Sequence, residues 1–324
     1  MSTPVTSLRG PARVVLRLHR RTLWAAGAAV AVGIAGLVAV ALLAKRAAAD
    51  LASAGCTLSS DTSSCFAPAR DFVERMIRID QSLMYAGFAL IVLPAVVAAF
   101  VAGPLIAREW ETGTIKLSWS QSASPAAWLA ARLVTFAVPV VGGIMVLSAA
   151  LSWSRTHLDY PFPAIWEEAT AFGATGTVPV ASALLALALG ALAGLLLRRT
   201  VPALVAALAA SGLVALVLST VRFHFWPMVK ATYPLEGTSP APKWSYVVEE
   251  GYVTAGGDPL PDGTCSAFSP NFRECLAGHD VQSYVHYHPA SHYWPLQLVE
   301  TGILLALAAL ALFAAFRVLR SLHG

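Results

Sequence analysis

The stretch "LWAAGAAVAVGIAGLVAVALLA", Leu23 to Ala44, runs without a charged side chain. A hydrocarbon core about 30 Å thick is crossed by about 20 apolar residues of helix, and this run meets that length. It exceeds the roughly 7 to 15 apolar residues of a cleavable signal peptide, and no small-residue cleavage site closes it, so it reads as an anchor that stays. Five more runs of this kind follow: Leu83 to Ala107, Leu133 to Trp153, Ala174 to Leu197, Val201 to Val221 and Leu296 to Phe316. Of the 324 residues, 57% are hydrophobic and 12% are charged, about half the charged share of a soluble domain. The mean hydropathy of +0.65 needs lipid as a solvent. The fold expected is therefore an all-α integral membrane protein with six transmembrane helices.

Lysine and arginine set the orientation, because loops rich in them stay on the cytoplasmic side. One face gathers Arg9, Arg13, Arg17, Arg20, Arg21, Arg108, Lys116, Arg132, Arg198, Arg199, Arg317 and Arg320, against only Glu109 and Glu111. Both termini are accordingly expected in the cytoplasm, in a multi-pass protein of the plasma (inner) membrane. Lys45, Arg46, Arg70, Arg75 and Arg78 fall on the other side, interspersed with Asp50, Asp61, Asp71, Glu74 and Asp80. All four cysteines lie on that outer side, where disulfides persist. Local pairing, Cys56 with Cys65 and Cys265 with Cys275, is expected because sequence neighbours meet most easily, although four cysteines allow three pairings.

Four segments follow from this layout. Residues 1–21 form a cytoplasmic segment in which Ser7 to Arg21 reads as an amphipathic interfacial helix, Pro11 suiting its first turn. Residues 22–221 hold spans one to five, with a polar loop at 108–130. Residues 222–295 form an outer segment long enough to have structure of its own, expected as a disulfide-braced cap of short helices or strands over the outer mouth. Residues 296–324 hold span six and a short cytoplasmic tail. Gly190 and Gly194 in span four make a small-xxx-small pair that lets helix backbones approach closely.

The chain carries no G-x-x-x-x-G-K-[ST] phosphate loop, no H-E-x-x-H and no G-x-S-x-G, so it is not read as an enzyme and any ATP hydrolysis belongs to another subunit. The span centres lack ionisable residues, which speaks against a proton-driven carrier. Glu300, near the outer end of span six, reads as a capped or interface-facing carboxylate near the headgroups, with an outer-gate role as the alternative. In "VHYHPASHYWP" the imidazoles of His286, His288 and His292 have spacings that could hold zinc or copper. An aromatic belt of Tyr287, Tyr293 and Trp294 explains the same stretch without a metal, and no metal is expected.

The loop itself reads "REWETGTIKLSWSQSASPAAWLAARL" from Arg108 to Leu133. Thr112 and Thr114 can cap a short helix with Glu109 and Glu111 near its positive end, and Ser124 with Pro125 looks like the cap and first turn of span three. Trp110, Trp119 and Trp128 would hold the loop at headgroup level. An ordinary interfacial loop accounts for this composition equally well.

The run Glu109 to Thr114, then Leu117, Ser120 to Ser124 and Trp128-Leu129, resembles the loop after the second span in membrane subunits of ABC exporters. The group is the drug, antibiotic and polysaccharide export type (type 2), in particular its actinobacterial permeases. "YHPASHYWPLQLVETG", Tyr287 to Gly302, is similar to the start of their last span. The resemblance implies a permease that dimerises with a second permease subunit and works with cytoplasmic ATPase subunits, which bind ATP and Mg; this chain would bind no cofactor and no nucleic acid. It implies that the loop is a coupling helix, with Arg108, Glu109, Glu111, Thr112, Gly113, Thr114, Lys116 and Gln121 as the residues that couple it to the ATPase. It also implies a substrate path lined by spans two and five. One departure stands out: relatives commonly carry a basic residue after the serine equivalent to Ser124, where this chain has Pro125. The cargo expected is hydrophobic or amphipathic, such as an antibiotic, drug, lipid or peptide. The competing readings are an ATP-independent channel or carrier, a copper, zinc or sodium export permease, and a scaffold or signalling subunit that transports nothing.

Overall fold

A computed structural model describes residues 20–113, 124–158, 166–261, 263–266 and 269–322. The amphipathic helix expected at Ser7 to Arg21 falls almost wholly outside them. Six helices among the described residues have the length and apolar character to cross a membrane. They are longer than the apolar runs that announce them. Helix α1 extends from Arg20 to Ser53, and the second helical element runs from Ser63 to Glu111. At about 1.5 Å per residue each exceeds a hydrocarbon core of about 30 Å.

The surplus is a helical hairpin where a loop would otherwise connect the spans. A 3-10 turn (Ser63–Cys65) opens α2 (Phe66–Val97). Ala44 and Ala47 of α1 are buried in one cluster with Phe72, Met76, Ile79 and Leu83 of α2. These apolar residues recur at helical spacing among charged ones, which is the pattern of a soluble-type helix pair. Cys56 and Cys65 are joined at its tip, and Arg75 reaches Asp50 at 2.7 Å and Asp71 at 2.7 Å. Arg75 thus ties the hairpin both across and along it, and Arg70 pairs with Glu74 at 2.8 Å along α2.

Span two is not one regular helix. Pro94 lies inside α2 and lacks the N–H that would bond one turn back; five residues of π-helix follow, Ala98–Ala102, before α3 (Gly103–Glu111) resumes. Span three is α4 (Pro125–Arg155). A single helical turn, α5 (Ala169–Phe172), precedes span four, α6 (Val178–Leu197). Span four starts four residues later than its apolar run because Gly176 takes φ +72° just before it. Span five is α7 (Thr200–Val221), and span six is α9 (Tyr293–Ser321). Span four is the most enclosed, with Leu185, Leu187, Ala191 and Leu195 buried. Span five buries only Ala203, Ala207 and Leu218.

Residues Thr220–Val299 form a compact unit separate from the remainder. The all-α description holds for the spans but not for this segment, where short helices or strands are expected and both occur. Strands β1 (Val229–Tyr233), β2 (Tyr246–Thr254) and β3 (Val281–His288) make an antiparallel sheet in the order β1-β3-β2. Val229 pairs with Tyr287 and Thr254 with Val281. Alternation in β3 decides its faces: Val281, Ser283, Val285 and Tyr287 are buried on one side, as period-two patterning requires. Helix α8 (Phe272–Gly278) buries Leu276, and its Cys275 is bonded to Cys265.

Candidate functional site

The polar loop after span two starts from a firmly ended helix. The Thr112 N–H donates to the Arg108 carbonyl at 3.0 Å, and its hydroxyl donates to the same oxygen at 2.9 Å. Gly113 follows at φ +70°, its N–H donating to the Trp110 carbonyl at 3.2 Å. A left-handed residue after the last helical turn satisfies carbonyls that would otherwise lack donors, and glycine takes that conformation without a Cβ clash. Thr112 therefore closes the span-two helix. Thr114, Lys116 and Gln121 lie outside the described residues. At the far side of the loop the Ser124 hydroxyl accepts from the Ala127 N–H at 3.2 Å, and Pro125 occupies the first helical position of α4.

The charged side chains at the end of α3 turn onto their own chain. Glu109 pairs with Arg132 of span three, and the two side chains are 18% and 15% exposed. The Arg132 guanidinium also lies 4.8 Å from the Trp128 ring centre. One residue on, the Arg198 guanidinium stands 4.9 Å from the ring centre of Trp110. Glu111 spans the gap to span five: Oε1 accepts from the Thr200 N–H at 2.9 Å and Oε2 from the Thr200 hydroxyl at 2.5 Å. Thr200 is the first residue of α7, so the carboxylate satisfies a helix-terminal N–H and meets the positive end of the helix dipole.

The turn between spans four and five makes this possible. Arg198 takes φ 52°, its N–H donating to the Gly194 carbonyl at 3.1 Å, and the chain reverses at once into α7. "RRT" at 198–200 is thereby set against "EWE" at 109–111. Below these polar contacts, Ile106, Trp128, Leu129, Ala191, Leu195, Ala315 and Leu319 form one apolar cluster. The residues that sequence reading missed as partners are Arg132, Arg198 and Thr200. In the sequence the first two stand only as topology-setting charges. The signal for the third was slight: a threonine two residues ahead of Pro202, where a helix starts.

Gly190 and Gly194 face span two. A Cβ on Gly190 would stand 2.5 Å from the Ala102 Cβ and 2.8 Å from the Ala98 carbonyl oxygen, and one on Gly194 would stand 2.9 Å from the Gly103 oxygen. The small pair lets span four approach the π-helical segment at backbone distance. Glu300 is buried, 2% exposed.

The three histidines do not meet at one point. His286 Nδ1 lies 3.2 Å from Glu249 Oε2, whose other oxygen accepts from the Tyr284 hydroxyl at 2.8 Å. His288 Nε2 lies 2.9 Å from the Phe223 carbonyl, and its Nδ1 lies 2.9 Å from His292 Nδ1. Both ring nitrogens of His288 are engaged, which leaves no lone pair directed at a cation. Among the described residues the group with metal-like spacing is Cys265, Cys275 and His279; its two sulfurs are joined in the disulfide and offer no thiolate.

No curated protein and no solved structure matches the chain. A family model does match, over residues 18–222, which takes in spans one to five, the loop and its three anchoring contacts. That family is one of membrane transport domains without catalytic function of their own, and the multi-pass helical architecture agrees with it. The chain belongs to the ABC-2 membrane transporter related family.

Proposed function

We propose that the chain is the membrane-spanning permease subunit of an ATP-driven exporter, with both termini and the 108–130 loop in the cytoplasm. A separate ATPase subunit, holding ATP and Mg, docks on that loop, and a second permease subunit completes the transport path. The cargo is a hydrophobic or amphipathic molecule moving outward across the plasma membrane. The observation that carries this reading is the end of span two itself. Glu109, Trp110 and Glu111 key it to spans three, four and five, within a segment matched by the transporter family.

A helix end held to three spans is a suitable receiver for a push from outside the membrane. When ATP closes a pair of ATPase subunits, a loop rigidly tied to helix ends moves those helices, whereas a loose loop would absorb the displacement. Transport then follows from a two-state arrangement of spans biased by a ligand bound elsewhere. The test is affinity capture of the tagged chain from membranes of its native host. An ATPase subunit is expected to be retained, and to be lost when residues 114–123 are replaced by a glycine-serine linker. Capture of the intact chain without any ATPase would refute the reading.

A further inference from the structure

We infer that Glu111 is a positioning residue that passes movement of the loop to span five through Thr200, rather than a contact for the ATPase. The inference rests on the permease reading above and assigns a route within it. Both Glu111 oxygens are occupied by Thr200, Oε1 by its N–H at 2.9 Å and Oε2 by its hydroxyl at 2.5 Å. A hydrogen bond to a charged group is stronger than a neutral one, and this tie makes two.

The packing of span five gives the tie its importance. Span five buries few side chains, and those nearest the loop are Ala203 and Ala207. A Cβ on Gly103 would lie 3.5 Å from the Ala203 backbone, so spans two and five meet there through small, smooth surfaces. Apolar helices in lipid have no hydrophobic drive to stay together, and small residues allow sliding as well as approach. Along such a surface the Glu111 carboxylate is the directional grip: when the end of α3 moves, Thr200 and the helix it begins are drawn with it. The Glu109–Arg132 pair does the same for span three.

The test uses the full chain in nanodiscs with the ATPase that it captures. Its four native cysteines are all in disulfides, so Ser219→Cys places one free thiol at the exposed far end of span five. Maleimide labelling of that thiol is measured with and without ATP. Labelling is expected to change with ATP in the otherwise unsubstituted chain. Glu111→Ala and Thr200→Val should each cut that change, Glu111→Ala by about tenfold, with the double variant no worse than Glu111→Ala alone and Thr200→Ser retaining the response. ATPase capture should be equal in all of them. Loss of capture in Glu111→Ala would overturn the inference and make Glu111 a partner contact, and so would an unaltered response in Thr200→Val alongside a lost one in Glu111→Ala. Absence of capture in the chain carrying only Ser219→Cys would overturn the permease reading itself, and is recognisable because it needs no substitution in the tie.

Discussion

Gly190 of span four lies so close to Ala102 in the π-helical part of span two that a Cβ on the glycine would stand 2.5 Å from the Ala102 Cβ. Real Cβ atoms do not approach so closely, and the next neighbours are backbone, the Ala98 oxygen at 2.8 Å and the Gly103 nitrogen at 3.0 Å. Backbone cannot rotate away as a side chain can. Gly190→Ala is therefore expected to destabilise the protein by about 1–3 kcal/mol, the usual cost of overpacking. Gly212 of span five has nothing within 4 Å of its would-be Cβ, and Gly212→Ala should leave the melting temperature unchanged or raise it. Thermal unfolding in detergent, compared between the two variants, separates steric fit from helix propensity.

His288 makes the stability of the 220–299 unit depend on pH. It is fully buried, and its Nε2 must donate to the Phe223 carbonyl, so in the neutral ring Nδ1 accepts from His292. Burial pushes the His288 imidazole below its ordinary value, and the nearby His292 and His224 push the same way, while the Phe223 carbonyl opposes them. The unfolded chain takes up the proton near the ordinary value of about 6.5 and the folded chain only at lower pH. The stabilisation is thus complete above about 6.5 and is lost as pH falls through the folded value. Melting temperatures should decline on acidification from about pH 7 to about pH 5. His288→Asn should flatten that slope whatever it does to the temperature at neutral pH; an unchanged slope would remove His288 from the explanation.

The six spans were legible because lipid imposes a simple rule, an apolar run long enough to cross as helix, and each run meets it. The hairpin of α1 and α2 was not, since Ala44 to Ser53 and Phe66 to Ser82 mix charged with apolar residues at helical spacing. A hydropathy threshold reads that mixture as loop. In β3 the alternation of Val281, Ser283, Val285 and Tyr287 was available, but the interleaved histidines draw attention to metal chemistry and away from the strand. The tie between Glu111 and Thr200 joins residues 89 apart in sequence. No local pattern announces it: a glutamate at the start of a polar loop suggests an outside partner until the fold brings span five beside it.

Glu109 and Arg132 should behave as a pair whose worth depends on both members. Each side chain is mostly buried, and removing one leaves the other charge desolvated without a partner. Arg132→Met is expected to cost about 2 kcal/mol, and Glu109→Gln a similar amount. The joint replacement Glu109→Gln with Arg132→Met should cost less than the sum of the two. A double-mutant cycle on unfolding free energy measures the difference, and strict additivity would mean that the pair contributes nothing as a pair.

The hairpin tip offers the last test, because two kinds of bond hold it and their expected strengths differ. The Cys56–Cys65 disulfide closes a short loop, with a sequence separation of 9. Chain-entropy arguments value such a closure at about 2.5 kcal/mol. The Arg75 bridges to Asp50 and Asp71 are short, but the arginine side chain is 41% exposed and its partners more so. Exposed ion pairs contribute between about 0 and 1 kcal/mol, since water screens them and ordering two long side chains opposes them. Cys56→Ser with Cys65→Ser should therefore lower the melting temperature clearly, and reducing agent should do the same to the unsubstituted chain. Arg75→Ala should lower it only slightly, and less still in high salt, where the bridges are already weakened. A larger loss from Arg75→Ala than from the cysteine pair would show that the hairpin is held by charge rather than by its covalent tip.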